Sequence, residues 1–461
     1  MHRTGFLGAL ALVLLIAASP VLAQPKDGAS QSVEAQILDI LIEKDIVTPE
    51  QYRELKAQLR SGKDEKNISA VEAGFDKGFY LRSTDGKHTI KLKGRFHGDF
   101  KGYPGNHPDN DSFFVRRARL ALQGTFYKHF EFKLESEFGK GNAQLNDGFA
   151  NIAYFPRAQL KTGQFKTPFS MEELHSDNWI DFVERSLANN LVPSRDIGVM
   201  LHGGLWDGFL YYQLGLFNGV RKNQASDADD GKDLAARVVA APFKKLGHWT
   251  VQELRLGAAV THGQEDLEAG QWWNSGEFST AAGTDFLEMD PGVVQDGART
   301  RTGLELYWAW GPTAVKSEFV NARLEGVQLG DQEEDLDFDG GYAEITHNLT
   351  GEDFVYKNGK PARIIPESNF NPRSGAWGAL QLSLRYEFLR AEDDVLGQGF
   401  ADAARFTDEA AGYTAGINWY LTPMVRFMLN YSHNDFEDPI LVDGERLDDE
   451  DVILSRFQIA L

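Results

Sequence analysis

Ile90-Lys91-Leu92-Lys93-Gly94-Arg95-Phe96-His97-Gly98-Asp99-Phe100 puts every charged or histidine side chain at an odd position and every apolar residue or glycine at an even one. Alternation at period two belongs to an extended strand with two unlike faces and is too strict for a helix. One face of this strand meets water and the other an apolar medium. The pattern recurs further along. Arg117, Arg119 and Gln123 oppose Ala118, Leu120 and Leu122, and Glu131, Lys133, Glu135 and Glu137 oppose Phe130, Phe132, Leu134 and Phe138.

Counting onward, the spacing predicts strands near 148–155, 158–165, 197–203, 209–218, 233–241, 253–262, 300–310, 313–323, 338–347, 376–389, 411–420, 423–433 and 452–461, sixteen in all. An even number of antiparallel strands of about ten residues each, apolar on the outside, is the requirement for an outer-membrane β-barrel, and about 16 strands enclose a lumen wide enough for water. Joint lengths agree. Those at 126–129, 156–157, 204–208, 311–312 and 421–422 are short, as periplasmic turns are. Those at 101–112, 166–196, 219–232, 263–299, 324–337 and 434–451 are long and mostly acidic, as external loops are. Residues 348–375 break this order, being long where a turn is expected; they either hold a hairpin or mark a slip of register. Aromatic residues gather at strand ends, in Tyr154-Phe155, Trp308 with Trp310, Trp419-Tyr420 and Tyr431, where headgroup-level girdles form. The final strand, with Ile453, Ser455, Phe457, Ile459 and Leu461 outward, closes against the first.

The N-terminal region differs. Residues 1–23 carry only Arg3, an apolar run from Leu7 to Ala18, and Val21 and Ala23 at the small-residue positions of a cleavage site. They read as a secretory signal peptide, too short to remain as an anchor. Its removal takes the net charge from -21 to -22. Residues 24–75 form a periplasmic helical segment and linker. Val33, Ile37, Ile40 and Leu41, then Tyr52, Leu55 and Leu59, recur at helical spacing, and Thr48-Pro49-Glu50 starts the second helix. This pair is either a small solvated hairpin or a stalk for oligomerisation or cell-wall contact, joined by a polar linker, 60–75, to a barrel domain over 76–461.

Several function classes are excluded or weakened. There is no cysteine, hence no disulfide, thiol chemistry or cysteine metal site. No nucleophile elbow, helical His pair or phosphate-cradling glycine loop is present, so neither an enzyme nor a cofactor is expected. A barrel hydrolase with a dispersed triad and a soluble carbohydrate-binding sandwich are the rival readings. Against the second stands an apolar outer face on nearly every strand with no second sheet to cover it. The acidic stretches Asp227-Ala228-Asp229-Asp230 and Asp331-Gln332-Glu333-Glu334-Asp335 lack full calcium-loop spacing and read as solvated loops, bridged to lipopolysaccharide by divalent ions.

Residues 113–203 carry a specific series of blocks. Phe114-Val115-Arg116-Arg117-Ala118-Arg119-Leu120, Phe132-Lys133-Leu134-Glu135 and Gly163-Gln164-Phe165-Lys166-Thr167-Pro168-Phe169-Ser170 are followed by Glu172-Glu173-Leu174, Glu184-Arg185-Ser186 and Pro193-Ser194-Arg195-Asp196-Ile197-Gly198-Val199. In order and spacing this series resembles the phosphate-selective porin O and P family. Likeness returns at Leu349-Thr350-Gly351-Glu352 and Gly375-Ala376-Trp377-Gly378-Ala379. The resemblance implies a sixteen-stranded homotrimeric barrel in the outer membrane whose third external loop, here 166–196, folds inward as the constriction. It also implies passive diffusion of small anions, phosphate or polyphosphate, guided by lumenal Arg and Lys. The chain departs from such barrels in ending at Leu461 in place of Phe and in being strongly acidic.

A pore filters at its narrowest ring, so charge distribution matters more than total charge. Residues 77–133 hold 12 Lys and Arg against 5 Asp and Glu, whereas 389–461 hold 5 against 15. Alternation places Lys91, Lys93, Arg95, Arg117, Arg119 and Lys133 on the lumenal face, and Lys166, Arg185 and Arg195 are the candidates in the constriction loop. Each could instead belong to a charge ladder with Glu131, Glu135 and Glu137. Within the loop Glu172, Glu173, Asp177, Asp181 and Glu184 outnumber the bases, and Arg195, beside Asp196, reads best as a pin holding the loop to the wall. The rival within porins is a general or cation-preferring pore, favoured by the acidic loop. The expected surroundings are outer-membrane lipid and lipopolysaccharide, with no nucleic acid.

Overall fold

The computed structural model describes residues 33–44, 46–66, 71–105, 107–139, 141–219, 231–246, 250–267, 269 and 277–461. The signal-peptide reading of 1–23 and the acidic stretch 227–230 fall outside these residues. Packing divides the chain into two units, one running to Gly74 and including Leu81–Lys87, the other comprising Phe75–Tyr80 and His88–Leu461.

The first unit holds two helices, α1 (Val33–Glu43) and α2 (Pro49–Lys66). A reciprocal capping box starts α2: the Gln51 N–H donates to the Thr48 hydroxyl and the Thr48 N–H to the Gln51 side chain, at 3.3 and 2.9 Å. The Tyr52 hydroxyl reaches back to Asp39 on α1. Of the expected linker, residues 60–66 belong to α2 and Val71–Phe75 to a short strand.

The second unit is a closed antiparallel barrel. Its strands are β1 (Thr89–Gly102), β2 (Ser112–Phe126), β3 (Phe130–Glu137), β4 (Gln144–Phe155), β5 (Ala158–Lys166), β6 (Arg195–Leu205), β7 (Leu210–Phe217) and β8 (Asp233–Ala240). There follow β9 (Arg255–Leu267), β10 (Val294–Trp310), β11 (Thr313–Leu329), β12 (Gln332–Asn348), β13 (Ala379–Ala391), β14 (Glu409–Tyr420), β15 (Val425–Val442) and β16 (Glu445–Ala460). Each strand pairs with the next, and β16 pairs with β1 in a register that sets Phe457 opposite Gly98. All sixteen expected strands are present. Ile90, Leu92 and Phe96 point outward and stay exposed, while His97 and Asp99 on the same strand are buried in the lumen. An apolar exterior around a polar interior is the inverse of a soluble protein and suits a lipid-immersed wall. No described helix is long and apolar enough to cross a membrane.

Two expected external loops are strand instead. Residues 324–337 belong to β11, β12 and the tight turn between them, and 434–451 to β15, β16 and the two-residue turn Asp443-Gly444, whose φ angles of 46° and 88° suit a hairpin of that length. The acidic run 331–335 is therefore a turn and the start of β12. Along β11 the outward side chains change from Val315 and Phe319 to Asn321 and Arg323, and along β12 from Ile345 to Asp339, Asp337 and Asp335. Inward, the same stretches bury Leu324, Val327, Leu336 and Phe338 in an apolar core with Phe286, Phe400, Phe436 and Ile440. The wall inverts its polarity there: below the change it faces lipid, above it water. The long joint 348–375 contains a hairpin, Tyr356–Lys357 paired with Lys360–Pro361, and the strand register does not slip. Tyr420, expected in a girdle, is instead buried inward with its hydroxyl 3.2 Å from Gln381, whereas the Trp308 and Trp310 rings lie 4.5 Å apart, tilted by 45°.

Candidate functional site

Residues 167–194 connect β5 to β6 across the lumen. Phe169, Met171, Ile180, Phe182, Val183, Leu187 and Leu191 are all buried, which a free external loop could not achieve. The Ser170 hydroxyl accepts the Glu173 N–H and caps a short helical turn, Met171–Leu174. The loop presses against the wall from β10 to β16. Glu318 on β11 accepts the N–H groups of Met171 and Glu172 at 2.9 and 2.6 Å, and Glu387 on β13 that of Leu187 at 2.7 Å. Asn418 on β14 donates to the Asp181 carbonyl at 2.7 Å, and Arg426 on β15 to that of Ile180 at 2.9 Å. Arg456 on β16 donates to the Val183 carbonyl at 2.6 Å. Glycines on the inner wall admit this contact: a Cβ at Gly340 would lie 3.0 Å from the Ala188 Cα, and one at Gly303 would lie 3.1 Å from the Phe169 ring.

With the loop packed on the far wall, open volume lies along the basic strands. A cavity of about 500 Å³ on the external side is bordered by Lys101, Arg116, Arg117, Glu184, Arg185 and the segment Thr280–Gly283. A second, of about 230 Å³ on the periplasmic side, is bordered by Lys77, Lys93, Arg95, Arg119, Lys133, Glu135, Trp179 and Arg363. Between them sits Asp177 of the loop. Its carboxylate lies 3.4, 2.8, 3.0 and 3.2 Å from Arg95, Arg117, Arg119 and Arg185, and 4.0 Å from Lys166. Burial alone would raise this carboxyl, but Arg117, Arg119, Arg185 and Arg95 outweigh it and hold it well below the ordinary carboxylate range. Glu184 behaves alike: burial opposes ionisation, and Arg116, Arg117 and Arg456 hold it well below that range.

The nine candidate bases fall into two groups. Arg119 meets Glu137 at 2.5 Å and Glu135 at 3.4 Å; Lys133 meets Asp147 at 2.5 Å and Glu135 at 3.0 Å. Lys166 and Arg185 both reach Glu173 at 3.1 Å. Lys91 pairs with Asp76 at 3.0 Å, away from the constriction. Arg195 pairs with Asp147 on β4 at 2.7 Å, not with Asp196, whose carboxylate accepts the N–H groups of Ile197 and Gly219 at 2.7 Å each. Lys93 alone of the nine has no ion pair among the described residues. Lys77 and Arg363, beside it in the periplasmic cavity, have none either, and Arg363 lies over the Trp179 ring at 5.5 Å.

Two bases of the constriction were missed in the sequence, Arg116 because it breaks the alternation and Arg456 because of its acidic surroundings. Arg116 is the extra residue of a β-bulge, since His97 pairs with Arg117 and Gly98 with Val115. The bulge turns Arg116 inward, where it grips Glu184 with two bonds of 2.9 and 3.1 Å. Arg456, from the acidic C-terminal third, is fully buried between Asp99 and Glu184, each at 2.7 Å.

An inward-folded third loop beside a wall of clustered bases is the decisive feature, and the profile of the phosphate-selective porin O and P family matches residues 90–461. The chain belongs to that family. Porin O of Pseudomonas aeruginosa is 26% identical over 417 residues, spanning 83% of this chain and 90% of that protein. A Caulobacter vibrioides protein is 27% identical over 357 residues, 72% of this chain and 65% of its own length. Among solved structures, the outer-membrane channel DcaP of Acinetobacter baumannii superposes with a TM-score of 0.52 at 12% identity, over 85% of this porin and 100% of that chain. The trimer form of OmpT of Vibrio cholerae gives 0.51 at 11%, over 81% and 99%. This porin is an outer-membrane channel for small solutes.

Proposed function

We propose that the channel passes small anions, phosphate or polyphosphate, by passive diffusion along the wall built by β1–β4. The observation that carries this reading is where the loop leaves space. It fills the lumen against β10–β16 and leaves two cavities along the basic strands, one bordered by Arg116, Arg117 and Arg185 and the other by Arg95, Arg119, Lys93, Lys77 and Arg363, which in this reading mark the anion route. Guanidinium groups suit phosphate because their planar fork donates parallel hydrogen bonds, and several shared sites permit traffic where one deep site would stop it. In this reading Arg95, Arg117, Arg119, Lys166 and Arg185 serve both as loop anchors and as the positive lining, and Lys133 and Arg195, paired with carboxylates of the wall, as lining.

One observation favours a weakly selective pore. Asp99, Glu135, Glu137, Asp147, Glu173, Asp177 and Glu184 neutralise much of that lining. Currents through planar bilayers in a KCl gradient separate the two: anion selectivity with block of the chloride current by phosphate supports the first reading, and cation selectivity the second.

A homotrimer set in lipopolysaccharide, a cleaved segment 1–23 and a periplasmic location for α1 and α2 complete the proposal. Crosslinking of intact outer membranes and N-terminal sequencing of the mature protein test these parts.

A further inference from the structure

The external mouth carries a contact that the constriction does not use. In the described part of the first external loop, residues 103–105 and 107–111, the Tyr103 and His107 rings stack at 3.7 Å. The Asp109 N–H donates to His107 Nδ1 at 3.1 Å, which leaves the proton of the neutral ring on Nε2. That Nε2 is buried, has no hydrogen-bond partner, and lies 3.7 Å from Glu450 on β16. Glu450 is itself buried and accepts from the Asn434 amide at 2.9 Å and from the Thr284 hydroxyl. Thr284 belongs to the described part of the fifth external loop, 277–293, whose Thr280–Gly283 segment borders the external cavity. Lys101 joins the same two loops, donating to Asp109 at 3.2 Å and to the Ala282 carbonyl at 3.1 Å.

We infer that His107 is an acid-sensitive latch over the external mouth, drawing the first and fifth loops together through Glu450 and narrowing the entrance when it is protonated. The step is a proton added at Nδ1, with no other bond made or broken covalently. A protonated Nδ1 can no longer accept the Asp109 N–H, so the tie inside the first loop is lost. The imidazolium then faces Glu450 across 3.7 Å, and closing that gap makes a charge-assisted hydrogen bond. The charged and titratable groups around the ring are Lys101 on β1, Tyr103 and Asp109 on its own loop, and Glu450 on β16. Lys101 is already neutralised by Asp109, leaving Glu450 as the carboxylate toward which the ring moves. The latch concerns the mouth and holds for a pore of either selectivity.

The test uses the folded full-length channel in planar bilayers, with the external side taken from pH 8 to pH 5 and the periplasmic side held at pH 8. The wild type is expected to lose open-channel current by about twofold or more as the external pH falls from 8 to 5. His107→Gln and Glu450→Gln are expected to keep it. His107 lies in a loop, so its replacement leaves the barrel wall intact and decides the question even where Glu450→Gln assembles poorly. Two results would overturn the latch: a wild-type current that does not change with external pH, or a His107→Gln channel that closes over the same range.

Discussion

Replacing Asp177 by Asn removes the negative charge that Arg95, Arg117, Arg119 and Arg185 share while keeping the side chain's shape. A monovalent anion passing about 5 Å from that carboxylate is repelled by about 0.8 kcal/mol if the eyelet screens like bulk water, and by about 1.7 kcal/mol at half that dielectric constant. Asp177→Asn should therefore tighten phosphate block of the chloride current by roughly 4-fold to 17-fold, and by more for the divalent ion. The assay is titration of phosphate against single-channel chloride conductance, on protein whose folded state is confirmed by its electrophoretic mobility before and after heating. A folded Asp177→Asn channel with unchanged phosphate block and unchanged selectivity would refute the placement of the anion route past this residue.

Arg456→Gln strands Asp99 in the lumen without its cation, while Glu184 keeps Arg116; it should cost about 3–5 kcal/mol and lower the unfolding temperature measured by circular dichroism. Gly340→Leu drives a side chain into Ala188 and Leu191, so the loop should lift from the wall and single-channel conductance should rise and become noisier. Lys93→Glu and Arg363→Glu should each weaken anion selectivity in reversal-potential measurements, whereas Lys91→Glu, at a site paired with Asp76 away from the constriction, should change it little. Asp177 and Glu184 titrate below their unfolded values, so their contribution to stability is full above about pH 5 and lost as pH falls through the depressed folded values. Thermal unfolding of the wild type should accordingly be flat from pH 7 to pH 5 and fall steeply only well below pH 4.

The barrel was legible because one physical constraint, lipid on one face and water on the other, writes itself into alternate residues of every strand. Where that constraint ends, legibility ends with it. Above the lipid boundary β11, β12, β15 and β16 keep their strand pairing but turn acid residues outward, and they read as loops; the Asp443-Gly444 turn was the overlooked signal. The site was partly legible. Alternation found Arg95, Arg117 and Arg119, which the fold gathers on Asp177, yet it missed Arg116 because a bulge adds one residue and reverses the phase. Arg456 was hidden by the acidity of its neighbours in sequence, and Arg363 by its place in a long periplasmic joint. Arg195 took Asp147 as partner in place of the adjacent Asp196 because neighbours along a strand point to opposite faces.

The reversal potential of the wild-type channel in a KCl gradient, read before and after adding phosphate, bears most directly on the anion route. The arrangement of an acidic loop packed on the far wall and unpaired bases along the near one predicts anion selectivity and a chloride current that phosphate reduces. Cation selectivity with a current indifferent to phosphate would contradict it.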